Sequence, residues 1–553
     1  MNGTWNIDVT KGLTAAAIVA GGLCALLAYA TPYGLGVGGD ATVYISAARR
    51  LAAGDGLTFL NNVNEPQALT QFPPLYPLLL AAGEAAGLGV LATGKLLALL
   101  SIAMAGGCTA LLCYMRTRSL VVALLAGVLL AACSQLVHVH AQFMTEGPFI
   151  GLTMLALLLT AGYQLRGGGE GRGGGGADRG RAWPWLIAIG LVVVSAILFR
   201  FAAVSLAGAV ALAMLLGGPG SCRDGWRDGW RGRVLGAVVA LGAAGVAMGL
   251  LALRNRLLGA APAGRNTGYV PLTPEWIDTF LLTLSGAVMP DNDLRWLGNG
   301  VVLLLGIGFV LVPVLRWAGR RPGQVGGDAG RVVDKVCWTF VLIYLPFLII
   351  CRIFVDAAIP STYRLLAPAY IPMQILVVGA VSDLVLDRNF GRRLAARHFE
   401  LPALRWAPVL VVAWLAWLGL EQTTAWAQGG RTRGFGYMSA AWRTSPTLAE
   451  VAKLPANTPI YSDGADAIQF LLGRESNGLP LVRFRTSGKV NPVLAQDLER
   501  IRLRLEADGG VVVYFKTIRR GDFLLSEEAA VEAFDLELLA EHADGRLWRR
   551  RDE

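Results

Sequence analysis

Long apolar stretches separated by short polar loops dominate this chain. Each stretch runs for about 20 residues, the length that an α-helix needs to cross the hydrocarbon core of a bilayer. The pattern therefore predicts a polytopic α-helical membrane protein with about eleven transmembrane helices. Their predicted ranges are 12–33, 94–115, 119–137, 147–165, 183–199, 201–217, 234–253, 297–315, 336–351, 365–386 and 406–424.

A further apolar stretch at 74–91 is interrupted by Pro77, Gly83 and Glu84. Proline and a charged residue both interrupt a spanning helix. We predict an interfacial or re-entrant helix here, with a full span as the alternative. The first apolar stretch is long enough to span and lacks a convincing small-residue cleavage site, so we expect it to be retained.

From about residue 428 the apolar runs give way to short mixed segments. The pattern predicts strands at 459–462 and 510–515 and helices at 465–472 and 492–507. Alternation of this kind is typical of a small α/β domain. We therefore divide the chain into a membrane module, 1–427, whose first external loop is 34–93, and a C-terminal α/β domain, 428–553.

Composition supports the membrane assignment. Of 553 residues, 54% are hydrophobic and only 16% are charged, and the mean hydropathy is +0.51. The net charge of +10 comes from Arg clustered in a few loops, which indicates membrane orientation and not nucleic-acid binding. The seven Cys are scattered without metal-ligand spacing, so we expect no disulfide framework.

The Arg-rich loops orient the chain. Loops rich in Lys and Arg stay in the cytoplasm, and alternate loops of this chain carry them when the N-terminus is cytoplasmic. These loops are 116–118, 166–181, 223–233, 316–335 and 388–405. The loop 34–93 and the C-terminal domain are then predicted to lie outside. The glycine run at 167–176 lacks the Gly-Lys-Ser/Thr ending of a phosphate-binding loop and is interpreted as a linker.

Asp40 is the first candidate for chemistry, because a carboxylate at the exit of an apolar segment is costly unless it is solvated or used. If a helix begins near Ala41, Tyr44 lies one turn beyond Asp40 on the same face. The alternative is that Asp40 only caps an interfacial helix.

Glu146 is the second candidate, at the predicted outer start of a span. His138 and His140 precede it, so a metal site is one interpretation and solvated histidines with a helix-start carboxylate are the other. The third candidate is a set of predicted external arginines. Converging guanidinium groups suit a phosphate, whereas isolated ones usually extend to lipid headgroups. The set is Arg200, Arg254, Arg256, Arg265 and Arg364.

Several of these motifs resemble those of GT-C membrane glycosyltransferases, in the branch that contains protein O-mannosyltransferases and the lipid A aminoarabinose transferase. The resemblance covers roughly residues 12 to 425. The first external loop carries it through Gly39-Asp40, Tyr44, Ala47-Ala48-Arg49, Leu51-Ala52-Ala53-Gly54 and Pro73-Pro74-Leu75-Tyr76-Pro77. Later positions that also carry it are Met144-Thr145-Glu146, Phe199-Arg200-Phe201, Arg254-Asn255, Thr267-Gly268 and Tyr363-Arg364-Leu365-Leu366-Ala367-Pro368.

This resemblance implies an inverting glycosyltransferase on the outer face of a bacterial inner membrane. Its donor would be a polyprenyl-phosphate sugar, and its acceptor a glycan, a lipid or a protein. Asp40 would be the catalytic base, with Glu146 positioning the acceptor or the sugar and Arg364 and Arg265 holding the lipid phosphate. Tyr44, Arg200 and Tyr363 would complete the substrate-binding set. No cofactor is expected, and a divalent metal is the minority alternative.

The sequence departs from that branch in the first external loop. Asp40 is followed by Ala41, and Gln71 stands near the position where the aminoarabinose branch has an acid. This departure argues against a lipid A acceptor and against a metal site there. Two other classes stay open: a transporter or flippase of a lipid-linked sugar, although no internal repeat is evident, and a non-catalytic envelope assembly protein.

Overall fold

The computed structural model describes residues 8–61, 63–167, 183–217, 226–262, 269–286, 327–355, 362–386, 406–484, 489–518 and 523–551. The helices of the membrane part are α1 (Val9–Ala30), α2 (Gly39–Ala52), α3 (Leu75–Ala85), α4 (Val90–Thr117), α5 (Leu120–Ala132), α6 (Ser134–His140), α7 (Glu146–Gly167), α8 (Trp183–Phe199), α9 (Val204–Leu215), α10 (Trp226–Leu257), α11 (Pro274–Gly286), α12 (Gly327–Phe354), α13 (Tyr363–Leu386) and α14 (Ala407–Arg433). A hairpin of β1 (Thr58–Leu60) and β2 (Pro66–Ala68) lies between α2 and α3.

Among these residues, seven helices are long and apolar enough to cross a membrane, and eight if α5 and α6 form one broken span. Helices α3, α8 and α9 are apolar but shorter. The chain is therefore a polytopic helical membrane protein. The predicted span at 297–315 lies outside the described residues, and the number eleven stays a prediction.

The span predicted at 119–137 is bent. Cys133 leaves the helical region with φ −85° and ψ 85°, and α5 and α6 meet there at 74°. The stretch predicted at 74–91 forms only the 11-residue helix α3, which is about 16 Å long and too short to span alone.

Small residues set the spacing of the bundle around the central helix α4. A Cβ on Gly94 would lie 2.1 Å from the ring of Phe143, and one on Gly106 would lie 2.6 Å from Leu23 of α1. Close packing at small residues is typical of helices in lipid, where van der Waals contacts drive helix association because the hydrophobic effect between helices is absent. Helix α4 packs against α1, α5 and α7, so it lies at the centre of this part of the bundle.

Backbone hydrogen bonds fix the segment between α1 and α2 on both of its sides. This segment lies at one end of the bundle, and we call that end the site end. Gly36 donates its N–H to the Ala141 carbonyl at 2.8 Å and accepts from the Phe143 N–H at 2.9 Å. On the other side, Tyr437 donates its N–H to the Val37 carbonyl at 2.9 Å. The start of α2 is therefore tied both to the approach to α7 and to the chain that follows α14.

A five-stranded sheet follows α14 and the short helix α15 (Ala440–Arg443). Its elements are α16 (Pro446–Lys453), β3 (Ile460–Ser462), α17 (Ala465–Leu472), β4 (Asn477–Gly478), α18 (Leu494–Asp508), β5 (Val511–Phe515), α19 (Glu527–Phe534), β6 (Leu536–Glu541) and β7 (Gly545–Arg550). The strand order is β4-β3-β5-β7-β6; β3 is parallel to β4 and β5, and the β6–β7 hairpin is antiparallel.

Strand β5 is buried on both faces, as expected for a central strand covered by helices on two sides. Val512 and Tyr514 face the layer of α18 and α19, whereas Val513 and Phe515 face α16 and α17. Helix α14 continues to Arg433, past the predicted boundary at 427/428, and that domain boundary stays a prediction.

Candidate active site

Asp40 lies in the first turn of α2, at the site end. The helix begins at Gly39, directly after an extended Gly38, and its first turn carries Asp40 where the helix dipole stabilises a carboxylate. The side chain is 48% exposed, and its Oδ2 lies 3.3 Å from Nη2 of Arg364. Asp40 is thus anchored on one side and open to solvent on the other.

Glu146 begins α7 and is buried, with only 1% of its side chain exposed. Its Oε1 accepts from Nε of Arg364 at 2.9 Å and from Nη2 of the same residue at 2.7 Å. Arg364 lies at the start of α13, so this pair joins the first turns of two spanning helices. A buried carboxylate requires such a partner, since an unpaired one would be strongly destabilising.

Arg200 supplies a second cation to the same oxygen. It follows α8 directly and places Nη1 3.1 Å from Oε1 of Glu146 and 3.3 Å from Oγ1 of Thr145. Oε2 of Glu146 is buried without a hydrogen-bond partner among the described residues. We call Asp40, Glu146, Arg200 and Arg364 the site cluster.

The site cluster is electrically neutral, with two carboxylates and two guanidinium groups. Neither Nη1 of Arg364 nor Nε and Nη2 of Arg200 makes a hydrogen bond within the described part of the chain. The side chains of Arg200, Arg364 and Asp40 are 21%, 30% and 48% exposed, so all three reach the surface. The cluster can therefore accept an anion beside an exposed carboxylate.

Tyr44 lies on the same helix as Asp40, as predicted, but it is buried. Its ring packs against Phe72 at 4.9 Å and edge-on against Tyr76 at 5.3 Å, measured between ring centroids. Burial, with a smaller contribution from the charge of Asp40, raises the pKa of Tyr44 above its ordinary value. Its hydroxyl therefore stays neutral, and the residue forms part of the support beneath the cluster.

Tyr363 precedes Arg364 of the site cluster and packs against His138 of α6. Its ring stacks on His138 with centroids 5.0 Å apart, and its hydroxyl lies 3.4 Å from Nε2 of that residue. The ring of His140 is buried, with Nδ1 2.9 Å from the Leu136 carbonyl oxygen. Across the described ranges, no group of three or more His, Cys, Asp or Glu side chains could hold a metal ion.

Of the other predicted arginines, Arg254 and Arg256 make no contact with the site cluster among the described residues. Arg265 lies outside the described residues, as does the Thr267-Gly268 pair. Arg254 contacts the side-chain oxygen of Asn255 at 3.4 Å. Asn255 is buried and donates to the Thr70 carbonyl at 3.3 Å, so the end of α10 contacts the loop before α3.

Two residues near Asp40 were not singled out by the sequence. Asp466 of α17 lies beside Gly39, and Tyr437 donates its hydroxyl to Oδ2 of Asp466 at 2.9 Å. Both belong to the segment after α14, about 400 residues from Asp40 in the chain. No local motif marks them, since an aspartate at a helix start is common and only the tertiary contact distinguishes this one.

Comparison with known proteins identifies the fold. No protein-family model matches the chain, and no curated protein matches it by sequence. ArnT from Cupriavidus metallidurans, solved with bound undecaprenyl phosphate, is similar with a TM-score of 0.53 and 15% identity over 96% of this chain and 97% of that one. The Archaeoglobus fulgidus oligosaccharyltransferase in the apo form gives 0.51 and 13% over 91% and 69%. Both belong to the GT-C superfamily. This chain has the GT-C fold, which confirms the predicted resemblance at the level of fold.

Proposed function

We propose that this protein is an inverting glycosyltransferase that moves a sugar from a polyprenyl-phosphate donor to an acceptor hydroxyl on the outer face of the inner membrane. The observation that carries the proposal is the juxtaposition of an exposed Asp40 with Arg364, and through Glu146 with Arg200. A base beside two cations is what transfer from a lipid phosphate requires. The similarity to ArnT, which was solved with undecaprenyl phosphate, supports a donor of this class.

In the proposed reaction, the acceptor oxygen attacks the anomeric carbon while the Asp40 carboxylate takes the hydroxyl proton. The bond between the anomeric carbon and the phosphate oxygen breaks, and its electron pair stays on the departing lipid phosphate. Arg364 and Arg200 use their free N–H groups to stabilise that negative charge. A single displacement inverts the anomeric configuration.

In this proposal Glu146 does not take part in the proton transfer but positions Arg200 and Arg364. It is buried, and one of its oxygens binds both guanidinium groups, so it fixes their spacing before a substrate arrives. The predicted contact of Glu146 with the acceptor or the sugar would have to use Oε2, the oxygen that has no partner among the described residues. Arg265 and Tyr363 keep their predicted substrate-binding roles as parts of the proposal. No cofactor or metal enters the reaction as proposed.

The experiment is a sugar-transfer assay in membranes with polyprenyl-phosphate sugars as donors, comparing the wild type with Asp40→Asn. Loss of a general base lowers the rate by about 10²–10⁴-fold. Asp55→Asn is the matched control, because Asp55 lies in the same loop and pairs only with Arg50 among the described residues. We expect Asp55→Asn to retain transfer.

The other outcomes separate the alternatives. Full transfer by Asp40→Asn would move the base to another group, with Glu146 the next candidate. Absence of transfer by the wild type with every donor would overturn the enzyme assignment in favour of a transporter or an assembly protein.

A further inference from the structure

Helix α2 lacks a side-chain cap of its own. Its N-cap residue is Gly38, which has no side chain to accept from the first-turn amides. The first N–H bonded within the helix is that of Thr42, which donates to the Gly38 carbonyl at 3.1 Å. The amides of Gly39, Asp40 and Ala41 precede it and make no bond within the helix, so they are available to partners outside α2.

Asp466 places a carboxylate beside that turn. Its Oδ2 lies 3.6 Å from where a Cβ on Gly39 would be, at the positive end of the α2 dipole. Asp466 is the second residue of α17, so it comes from the sheet-containing part of the chain. The contact therefore crosses from the C-terminal α/β region to the helix that carries Asp40.

Tyr437 fixes this carboxylate relative to α2. Its hydroxyl donates to Oδ2 of Asp466 at 2.9 Å, while its backbone N–H donates to the Val37 carbonyl at 2.9 Å. One residue thus binds both Asp466 and the extended segment that leads into α2. Gly436 is required just before it, because its φ is +54° and a Cβ there would lie 2.2 Å from the Val37 carbonyl oxygen.

A second contact holds the same face of α17 to the first external loop. Gln469, one turn after Asp466, donates to Oδ1 of Asn64, and Asn64 donates to Oδ1 of Asn477 at 3.2 Å. Asn64 has φ +58°, a left-handed conformation that Asn adopts more readily than most residues. Helix α17 therefore contacts the loop at two points.

We infer that Asp466 is a positioning residue for Asp40: it caps α2 from the C-terminal α/β region, and Tyr437 holds it there. The kinetic part of this inference rests on the proposed glycosyltransferase function, whereas the capping does not. The C-terminal region thereby contributes to placing the base, in addition to any role in acceptor selection.

The test is hydrogen–deuterium exchange on the full chain in detergent, followed in a peptide that covers residues 37–44. In Asp466→Ala, loss of the cap accelerates exchange of the first-turn amides by about five-fold, the equilibrium effect of losing a typical cap. Tyr437→Phe gives a smaller acceleration. Glu475→Ala is the matched control, because Glu475 is exposed on the loop after α17 and makes no hydrogen bond or ion pair among the described residues.

A rescue variant distinguishes loss of the α2 cap from a general loss of stability in Asp466→Ala. Gly38 is extended, with φ −148°, and a Cβ there meets no atom within 4 Å, so Gly38→Ser supplies a local cap without a clash. We expect Asp466→Ala/Gly38→Ser to regain wild-type exchange in that peptide. We expect kcat for transfer to fall several-fold in Asp466→Ala with the donor KM unchanged, and to recover in the double variant.

Three results would overturn the inference: unchanged exchange in Asp466→Ala, equal acceleration in Glu475→Ala, or a double variant that exchanges as fast as Asp466→Ala. Exchange decides the capping even if the wild type transfers no sugar. In that case the proposed function is wrong, and hydrogen exchange alone still tests whether Asp466 caps α2.

Discussion

Two arginine–carboxylate clusters lie at opposite ends of α13. The site cluster includes Arg364 at the start of that helix, and the distal cluster, formed by Arg116, Asp334 and Asp383, includes Asp383 near its end. Asp383 comes 19 positions after Arg364, which places the clusters about 28 Å apart along the helix. Both are built from the same chemical groups, and they differ in how completely these groups are paired.

In the distal cluster every nitrogen of the arginine is used. Arg116 is 3% exposed in its side chain and donates from Nε to Asp334 at 3.0 Å, and from Nη1 and Nη2 to Asp383 at 2.8 and 2.7 Å. A fork that binds both oxygens of a carboxylate is the strongest arrangement of these groups. The cluster ties α4, α12 and α13 together.

The site cluster is incompletely paired. Oε1 of Glu146 is shared by two arginines, its Oε2 is buried and without a partner among the described residues, and Asp40 is half exposed. Unused donors on both arginines leave capacity for one more anion. The saturated cluster is suited to stabilising the fold, and the unsaturated one is suited to the anion binding proposed above.

Among the variants that distinguish the two clusters, Arg116→Met is expected to have the largest effect, a loss of stability. Removing one partner of a buried ion pair costs about 3–5 kcal/mol because the remaining charges lose their compensation. We expect a large fall in the thermal unfolding midpoint, measured by tryptophan fluorescence in detergent, with transfer per folded molecule unchanged. Arg118→Met is the control, since Arg118 is exposed two residues later. Loss of transfer without loss of stability would contradict the assignment of the distal cluster.

Glu146→Gln is expected to give the opposite pattern. The two arginines keep their positions less well without the shared anion, and we expect transfer to fall about 100-fold, equivalent to about 2.7 kcal/mol. Stability should change less than in Arg116→Met because Arg200 and Arg364 are partly solvated. Glu146→Asp, which keeps the charge, should retain more activity. Full activity in Glu146→Gln together with a large loss in Glu146→Asp would show that side-chain length, and not charge, is what matters.

The smallest effect concerns acid stability outside the membrane part. Burial raises the pKa of Asp544, but hydrogen bonds from Ser445 and Thr447 outweigh it and hold the pKa below its ordinary value. A carboxyl with a lowered folded pKa stabilises the fold above the unfolded value, about 3.9, and that contribution is lost as pH falls through the folded pKa.

Asp544→Asn should therefore reduce the acid dependence of unfolding of the C-terminal sheet below about pH 4, followed by tryptophan fluorescence. The two membrane clusters should behave as in the wild type, so transfer at neutral pH is the control. An unchanged acid profile in Asp544→Asn would assign the dependence to other carboxylates.

Sequence alone located most of the helices because length and hydrophobicity are local properties. Apolar runs such as 94–115 and 365–386 correspond to α4 and α13, and an aspartate directly after an apolar run identified Asp40. The bend at Cys133 was not predicted, since the residues from 119 to 137 form an almost continuous apolar run with no proline or glycine at the break.

The sequence by itself determined a polytopic helical membrane protein, predicted its resemblance to the GT-C fold, and nominated the acidic and basic residues at its helix ends. Only the tertiary structure decided which of them meet. Asp40 and Arg364 are 324 residues apart, and their contact depends on how α2, α7 and α13 pack. The same holds for the burial of Glu146 and for the position of Asp466 beside Gly39. Local pattern sets which segments enter the membrane, whereas the distance between side chains on different helices is set by packing of the whole bundle.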